Sequence, residues 1–416
     1  MFLCRLGARR QIVLRLDTQG AAKLFKTVFG DPKVPHGDTI NELFKALNLP
    51  SVEEIPLRIV EMLIDKKILY TWRLLDTRYC VALDATGTVT FTQRHCPHCL
   101  TKTHNGKTIY YHNVLQASMV TSSGMAFPLM SEFIENPEEI EGDTEEKRKQ
   151  DCEIKAFYRL APRLAKRFPH LPLALLMDGL YAAGPVFSLC ERYRWKFIVN
   201  LPDDKLPGVT EEFHALIAMK PANAATLNTG KNNAIHQRFA WANAIEYRDS
   251  KGGVHLLDVL QCKETKPESD GPITFRWATN FAVDGDNAAQ LANNGARLRW
   301  KTENEVFNVQ KNGGFALEHA YTGDPNAAKV FYFLLQIAFI VHQLIERGSL
   351  FRNTFPKGFG SAKNLAAEML EAVRRAGITE ETFARILEKR IQIRFETIPP
   401  AHTIAGQIYI PSLSSA

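Results

Sequence analysis

The chain has 416 residues and a mass of 46.9 kDa, which excludes a short disulfide scaffold and points to two or three compact units. Hydrophobic residues at 45% and charged residues at 23% exclude a mostly disordered or collagen-like chain. The 51 Lys and Arg against 45 Asp and Glu leave +6 and a pI near 8.8, a mild bias that admits a polyanionic partner but fits many enzymes too. Seven cysteines, an odd number scattered except for Cys96 and Cys99, favour a reducing compartment over a secreted disulfide framework. No signal peptide is expected in Met1 to Ile12. The apolar stretch Val330 to Ile345 is interrupted by Gln336, His342 and Gln343, falls short of the roughly 20 residues that span a bilayer, and reads as a buried core helix.

In chain order, residues 1–75 read as a small all-helical unit, with Leu43, Leu47, Val52, Ile55, Ile59, Met62 and Leu63 at near-helical spacing. From Tyr79 the period changes, and Ala85-Thr86-Gly87 suggests a turn between two strands, followed by strands over Ile109 to Val120 and Gly124 to Met130. Glu132 to Asp151, rich in acids, reads as a solvated connection. A helix carrying Phe157, Leu160, Leu164 and Phe168 follows, then a buried strand Leu173 to Met177, a helix Val186 to Arg192 and a strand Lys196 to Leu201. The order is βββ, α, β, α, β. Residues 202–290 read as β-rich, with Phe239, Trp241, Ala244 and Tyr247 alternating; Leu298 to Gln310, Ala327 to Ile345 and Ala362 to Ile393 read as helices, the last broken at Ala376-Gly377.

Asp84, in Val81-Ala82-Leu83-Asp84-Ala85, and Asp178, in Leu175-Leu176-Met177-Asp178-Gly179, each place a carboxylate at the end of an apolar strand. Such a charge must be solvated, paired or on a metal, unless it merely caps a turn. Glu303 is the third candidate: on a helix Arg299, Glu303, Phe307 and Lys311 share a stripe, which an exposed ion pair would also produce. Basic clusters at Lys147-Arg148-Lys149, at Arg163, Lys166 and Arg167, at Arg374-Arg375 and at Lys389-Arg390 to Arg394 suit either DNA or a solvated face. A second constellation is His95-Cys96-Pro97-His98-Cys99. Cys96 and Cys99 suit tetrahedral Zn²⁺ with His104 and His112, or with His95 or His98 in place of one; a redox pair or two reduced thiols are the alternatives. Acids in the turn Asp151-Cys152-Glu153 read as partners of a helix dipole.

Asp84 in its strand, Asp178-Gly179-Leu180-Tyr181-Ala182, and Arg299-Trp300 with Glu303-Asn304-Glu305 resemble the DDE transposases of prokaryotic insertion sequences. The resemblance covers roughly Thr39 to Ile345. It takes in Gln150-Asp151-Cys152-Glu153, Phe275 to Asn280, and Lys311-Asn312 to Leu317-Glu318-His319. It implies an α/β fold: an RNase H-like mixed sheet flanked by helices, interrupted by a β-rich insertion, with helical N-terminal and C-terminal regions. The implied division is a DNA-binding region over 1–75, catalytic core over 76–201, insertion over 202–290, second part of the core over 291–346 and a helical region over 347–416.

The resemblance further implies that Asp84, Asp178 and Glu303 hold two Mg²⁺ ions, with Mn²⁺ as a substitute, for DNA strand cleavage and strand transfer. Arg299 and Lys311 would meet phosphates, and Trp300 would either stack on an extruded base or pack its helix on the sheet. Two positions depart from the family: Ala296 stands where a Tyr is usual three residues before the Arg, and Gln310 where a Lys is usual seven residues after the Glu. The implied partners are double-stranded element-end and target DNA and a second copy in a homodimer, in the prokaryotic cytoplasm with no membrane. A nuclease without strand transfer and a domesticated DNA-binding copy are the rival readings.

Overall fold

The N-terminal region carries four helices, α1 (Arg10–Leu16), α2 (Gln19–Phe29), α3 (Gly37–Ala46) and α4 (Leu49–Asp65), the last three opening on a side-chain cap. Thr18 caps α2 by accepting from the Ala21 N–H, and Asn48 caps α4 by accepting from the Ser51 N–H. The computed structural model describes residues 1–137, 150–349, 355, 358–375 and 378–389, apart from the His104 side chain. Most of the acidic connection, Lys147 to Lys149, Ala376-Gly377 and Arg390 to Arg394 therefore lie outside the described residues.

The first strand, β1 (Tyr79–Phe91), runs unbroken through Ala85-Thr86-Gly87, where a turn was expected. The glycine accompanies a register slip against the neighbouring strand, between Gly87 and Val89, as an interior strand glycine permits. Then β2 (Leu100–His104) turns through Asn105-Gly106, both at positive φ, into β3 (Lys107–Val120), and β4 (Ala126–Ile134) returns along β3. These strands pair antiparallel, with β1 against β3. After α5 (Glu153–Arg167) come β5 (Leu173–Met177), α6 (Gly184–Arg192) and β6 (Lys196–Asn200). Here β1, β5 and β6 are parallel neighbours, and β5 is buried at every position, as its continuous apolar run requires.

Residues 202–290 are not β-rich throughout. A helix comes first, α7 (Pro207–Met219), with proline at its first position and Val209 and Phe213 buried. Four antiparallel strands follow, β7 (Ala224–Thr229), β8 (Ile235–Arg248), β9 (Val254–Thr265) and β10 (Ile273–Thr279). The alternation expected in β8 breaks at a bulge between Ala242 and Ile245, so Ile245 rather than Ala244 enters the core. These strands do not fold apart, because β10 pairs antiparallel with β6. The result is one mixed ten-stranded sheet in the order β2-β3-β1-β5-β6-β10-β9-β8-β7, with β4 on β3.

Strand alternation sends Val81, Leu83, Leu175 and Met177 to one layer, closed by Leu57 and Val60 of α4 and Phe157 and Leu160 of α5. Cys80, Ala82, Ala174 and Leu176 face the other layer, closed by the helical stretch α8 (288–312) and by α9 (Pro325–Arg347). Among the described residues α9 is the one helix long and apolar enough to cross a membrane, and most of it is buried. It extends beyond the apolar run read from the sequence at both ends, and the polar residues that interrupt that run are bonded. Gln343 exchanges hydrogen bonds of 2.9 and 2.7 Å with the Ala126 backbone, and His342 Nε2 meets the Leu3 carbonyl at 2.7 Å. A satellite core joins the N-terminal helices to α10 (Ala362–Arg375): Ile12, Leu16 and Ala21 pack with Leu370 and Val373, and α11 (Glu380–Glu388) follows.

Candidate active site

In the parallel pair β1 and β5, Ala82 is opposite Leu176. Two residues further along each stand Asp84 and Asp178, on the face shared by Ala82 and Leu176 and covered by α8. The two carboxylates therefore leave neighbouring strands side by side, at the C-terminal edge where open α/β sheets bind ligands. Asp84 is a mid-strand residue and not the entrance to a turn. It sits opposite Gln116 on β3, and it is partly exposed because β5 ends there and leaves that side of β1 without a neighbour. Asp178 also caps the short turn Gly179–Tyr181, accepting from the Leu180 N–H at 2.8 Å, so the capping role and a place in the site coexist.

Glu303 lies on α8, which is not a regular α-helix. It widens into π-helical turns at Leu291–Gly295 and Thr302–Phe307. The expected stripe of Arg299, Glu303, Phe307 and Lys311 fails at Phe307, which is buried with Val306 against the sheet while Glu303 is exposed. A π turn accommodates an extra residue, so the positions after it are rotated back relative to an α-helix. Arg299 Nη1 stands 3.8 Å from Asp84 Oδ2, both side chains largely covered.

Burial pushes the Asp84 carboxyl up to about 6; Arg299 opposes the shift and the charges of Glu303 and Asp178 reinforce it. Glu153, the first residue of α5, belongs to the same field. Burial pushes it up to about 7, the Tyr181 hydroxyl donating at 2.8 Å holds it down, and Asp178 and Asp84 push it further. The sequence reading took Glu153 as a structural partner of the helix dipole close to the site; its bond to Tyr181, 28 residues away, was not legible there.

Asp84, Asp178 and Glu303 share one electrostatic field, since the charges of Glu303 and Asp178 both act on the Asp84 carboxyl. All three offer oxygen donors, and a hard divalent cation would offset both the burial that chiefly raises Asp84 and the repulsion from Glu303 and Asp178 that adds to it, so the residues fit Mg²⁺. Glu305, the competitor of Glu303, is held by Lys301 at 2.7 Å.

The remaining candidates are divided. Lys311 is paired with Glu318 at 2.8 Å. Trp300 is half exposed, edge-on to Phe275 at 6.1 Å, so the packing role and a free aromatic face coexist. Gln310 is fully buried and bonds Gln336 at 2.7 Å, and Gln116, opposite Asp84, bonds the same Gln336 oxygen at 3.2 Å. Arg163 and Arg167 do not form a free basic face. Arg163 holds Glu53 and Glu132, and Arg167 holds Glu54 and Glu61, which fastens α5 to α4.

Away from the acids, His95, Cys96, Cys99 and His112 bring one donor atom each within 4.8 Å of the others. The sequence reading set His104 beside Cys96, Cys99 and His112, with His95 or His98 as substitutes; among the described residues it is His95 that joins the group, and the His104 side chain lies outside them. All seven cysteines are free of disulfides. Comparison with models of known protein families finds no match, and no curated protein sequence matches this chain.

Proposed function

We propose that the chain is a DNA transposase of the DDE class, cutting and joining strands at the ends of its own element on an RNase H-like sheet. The register that sets Asp84 beside Asp178, with Glu303 on the helix covering the same face, carries this reading. The strand order β4-β3-β1-β5-β6, an antiparallel meander continued by parallel strands, supports it. Asp84, Asp178 and Glu303 would hold Mg²⁺, or Mn²⁺ in its place. Such a metal would supply a lowered pKa for an attacking water or 3′-hydroxyl and stabilisation of the leaving oxygen of an in-line displacement.

The chain's own residues position the DNA. Arg299 lies beside Asp84, where its planar guanidinium meets a backbone phosphate next to the reacting one. The π turn supports the comparison at the lysine: with one residue taken up, Lys311 occupies the angular place that a plain helix would give to position 310. Its pairing with Glu318 must open for it to grip a phosphate. Two element ends processed together imply a homodimer on double-stranded DNA, in the nucleoid of a prokaryotic cytoplasm.

Purified protein with labelled candidate end DNA, in Mg²⁺ and in EDTA, tests the reading. Cleavage and joined product are expected in Mg²⁺ alone. Asp84→Asn, Asp178→Asn and Glu303→Gln should each abolish both while retaining binding, and cleavage retained in any one removes that residue from the site. Nicking without joined product would indicate a nuclease; binding with neither product would indicate a domesticated DNA-binding protein.

A further inference from the structure

We propose that His95, Cys96, Cys99 and His112 bind a structural Zn²⁺ ion that clamps the β1–β3 rim of the sheet to the start of α5, a site separate from the acids and independent of the function proposed above. Cys96 Sγ lies 3.6 Å from Cys99 Sγ, and His112 Nε2 lies 3.2 and 3.4 Å from the two sulfurs. With Zn–S near 2.3 Å and Zn–N near 2.0–2.1 Å, a tetrahedron has edges of about 3.4–3.8 Å, which these separations meet within a few tenths of an ångström. A disulfide would need the sulfurs near 2.05 Å. Two thiols and two imidazoles are the donor set of closed, four-coordinate zinc sites.

The surroundings are built for the same purpose. His112 turns Nε2 toward the sulfurs and Nδ1 toward Glu135, whose Oε1 is 3.8 Å away and whose Oε2 is held by Lys329 of α9 at 2.6 Å. A carboxylate behind the ligating histidine fixes which nitrogen faces the metal. Buried Asn136 secures the Cys-Pro-His-Cys loop: its backbone N–H donates to the His98 carbonyl at 3.1 Å and its side-chain amide to the Cys99 carbonyl at 2.9 Å. His98 Nδ1 is already engaged with the Asn136 carbonyl at 2.9 Å, which leaves His95, stacked on Phe91 at 4.3 Å, as the fourth ligand. Asn136 Oδ1 accepts from the Asp151 N–H at 3.1 Å, and the Glu135 N–H donates to Asp151 Oδ2 at 3.1 Å. The metal loop is thereby tied to the entrance of α5, two residues before Glu153. A cavity of about 90 Å³ lined by His95, Cys96 and His112 opens beside the ligands and offers an entry path.

Full-length protein purified from zinc-supplemented medium should carry stoichiometric zinc by elemental analysis, and Co²⁺ exchanged into it should show the intense visible bands of a tetrahedral thiolate site. Cys96→Ser and Cys99→Ser should lose the metal. His95→Asn should lose it or bind far more weakly, His104→Asn should keep it, and Glu135→Gln should bind about 10- to 100-fold more weakly. Circular dichroism confirms that each compared variant is folded. Wild-type protein that is folded yet metal-free, a Cys96–Cys99 disulfide found by thiol titration, or loss of zinc in His104→Asn with retention in His95→Asn would each overturn the assignment. The wild-type zinc content is independent of any DNA reaction, so failure of the proposed function leaves this test intact.

Discussion

Arg299 Nη1 lies 3.8 Å from Asp84 Oδ2, which fastens the helix carrying Glu303 to the strand carrying the first acid. The guanidinium does not fully compensate for burial, since the Asp84 carboxyl still rises to about 6. In the metal-free protein the native state therefore binds a proton that the unfolded chain has released. Stability falls as pH rises between about 4 and 6, and the penalty is fully present above that window. Asp84→Asn removes it, so in EDTA the variant should be more stable by roughly 1–3 kcal/mol at pH 8 and unchanged near pH 4. Urea unfolding at the two pH values checks this, and an equal shift at both would refute it.

Glu303 and Glu305 are two residues apart yet differently engaged. Glu305 is bound by Lys301, while the charge of Glu303 is felt by Asp84. Glu303→Gln should lower Mg²⁺-dependent cleavage by a factor on the order of 10² to 10³ or more. Glu305→Gln should leave the rate within a few-fold and act mainly on stability. Single-turnover cleavage of labelled end DNA separates the two, and the reverse ranking would move the third acid to Glu305.

The buried triplet of Gln116, Gln310 and Gln336 joins β3, α8 and α9, with Gln116 the cross-strand neighbour of Asp84. Gln336→Leu leaves two buried amides short of a partner and should destabilise by about 1–3 kcal/mol for each group orphaned. Gln310→Lys, which puts a lysine at the sequence position usual in the resembled family but not at the angular place that Lys311 fills, should instead unfold much of the protein, because it places an unpaired ammonium where Gln310 is fully buried. Urea denaturation of both variants provides the measurement.

Trp300 presents about half of its surface to solvent and rests edge-on against Phe275. Trp300→Ala should weaken binding of DNA with unpaired ends by roughly 5- to 150-fold, the equivalent of about 1–3 kcal/mol of base stacking. Its effect on unfolding should stay within about 1 kcal/mol. Fluorescence anisotropy with duplex and frayed DNA provides the comparison; equal weakening on both would argue against stacking.

Much of the candidate site was legible where local chemistry is strong. The apolar run Leu173 to Met177 ending at Asp178 can hardly be other than a buried strand with a charge at its edge. Asp84 was found for the wrong local reason: an Ala-Thr-Gly turn was inferred where β1 continues, because a glycine bulge and a turn share the same residues. The pairing of Ala82 with Leu176, which brings the acids together, joins residues far apart in sequence and is invisible to periodicity. The stripe on α8 was misjudged because a fixed 100° step was assumed across a π turn. The helix Pro207–Met219 was missed although Pro207 marks its start, because the strands that follow dominate the composition of that region.

The pairing of β6 with β10 has a consequence for the chain during synthesis. The edge of β6 away from β5 has no partner until Ile273–Thr279 has left the ribosome, 279 − 200 = 79 residues after β6 itself ends. At about 5–20 residues per second that interval is roughly 4–16 s. Through it, the nascent protein presents an unpaired strand of Lys196-Phe-Ile-Val-Asn200, a template on which a neighbouring nascent chain could add its own strand. Translation speed across residues 201–279, as much as final stability, should set how much of this protein reaches the native sheet.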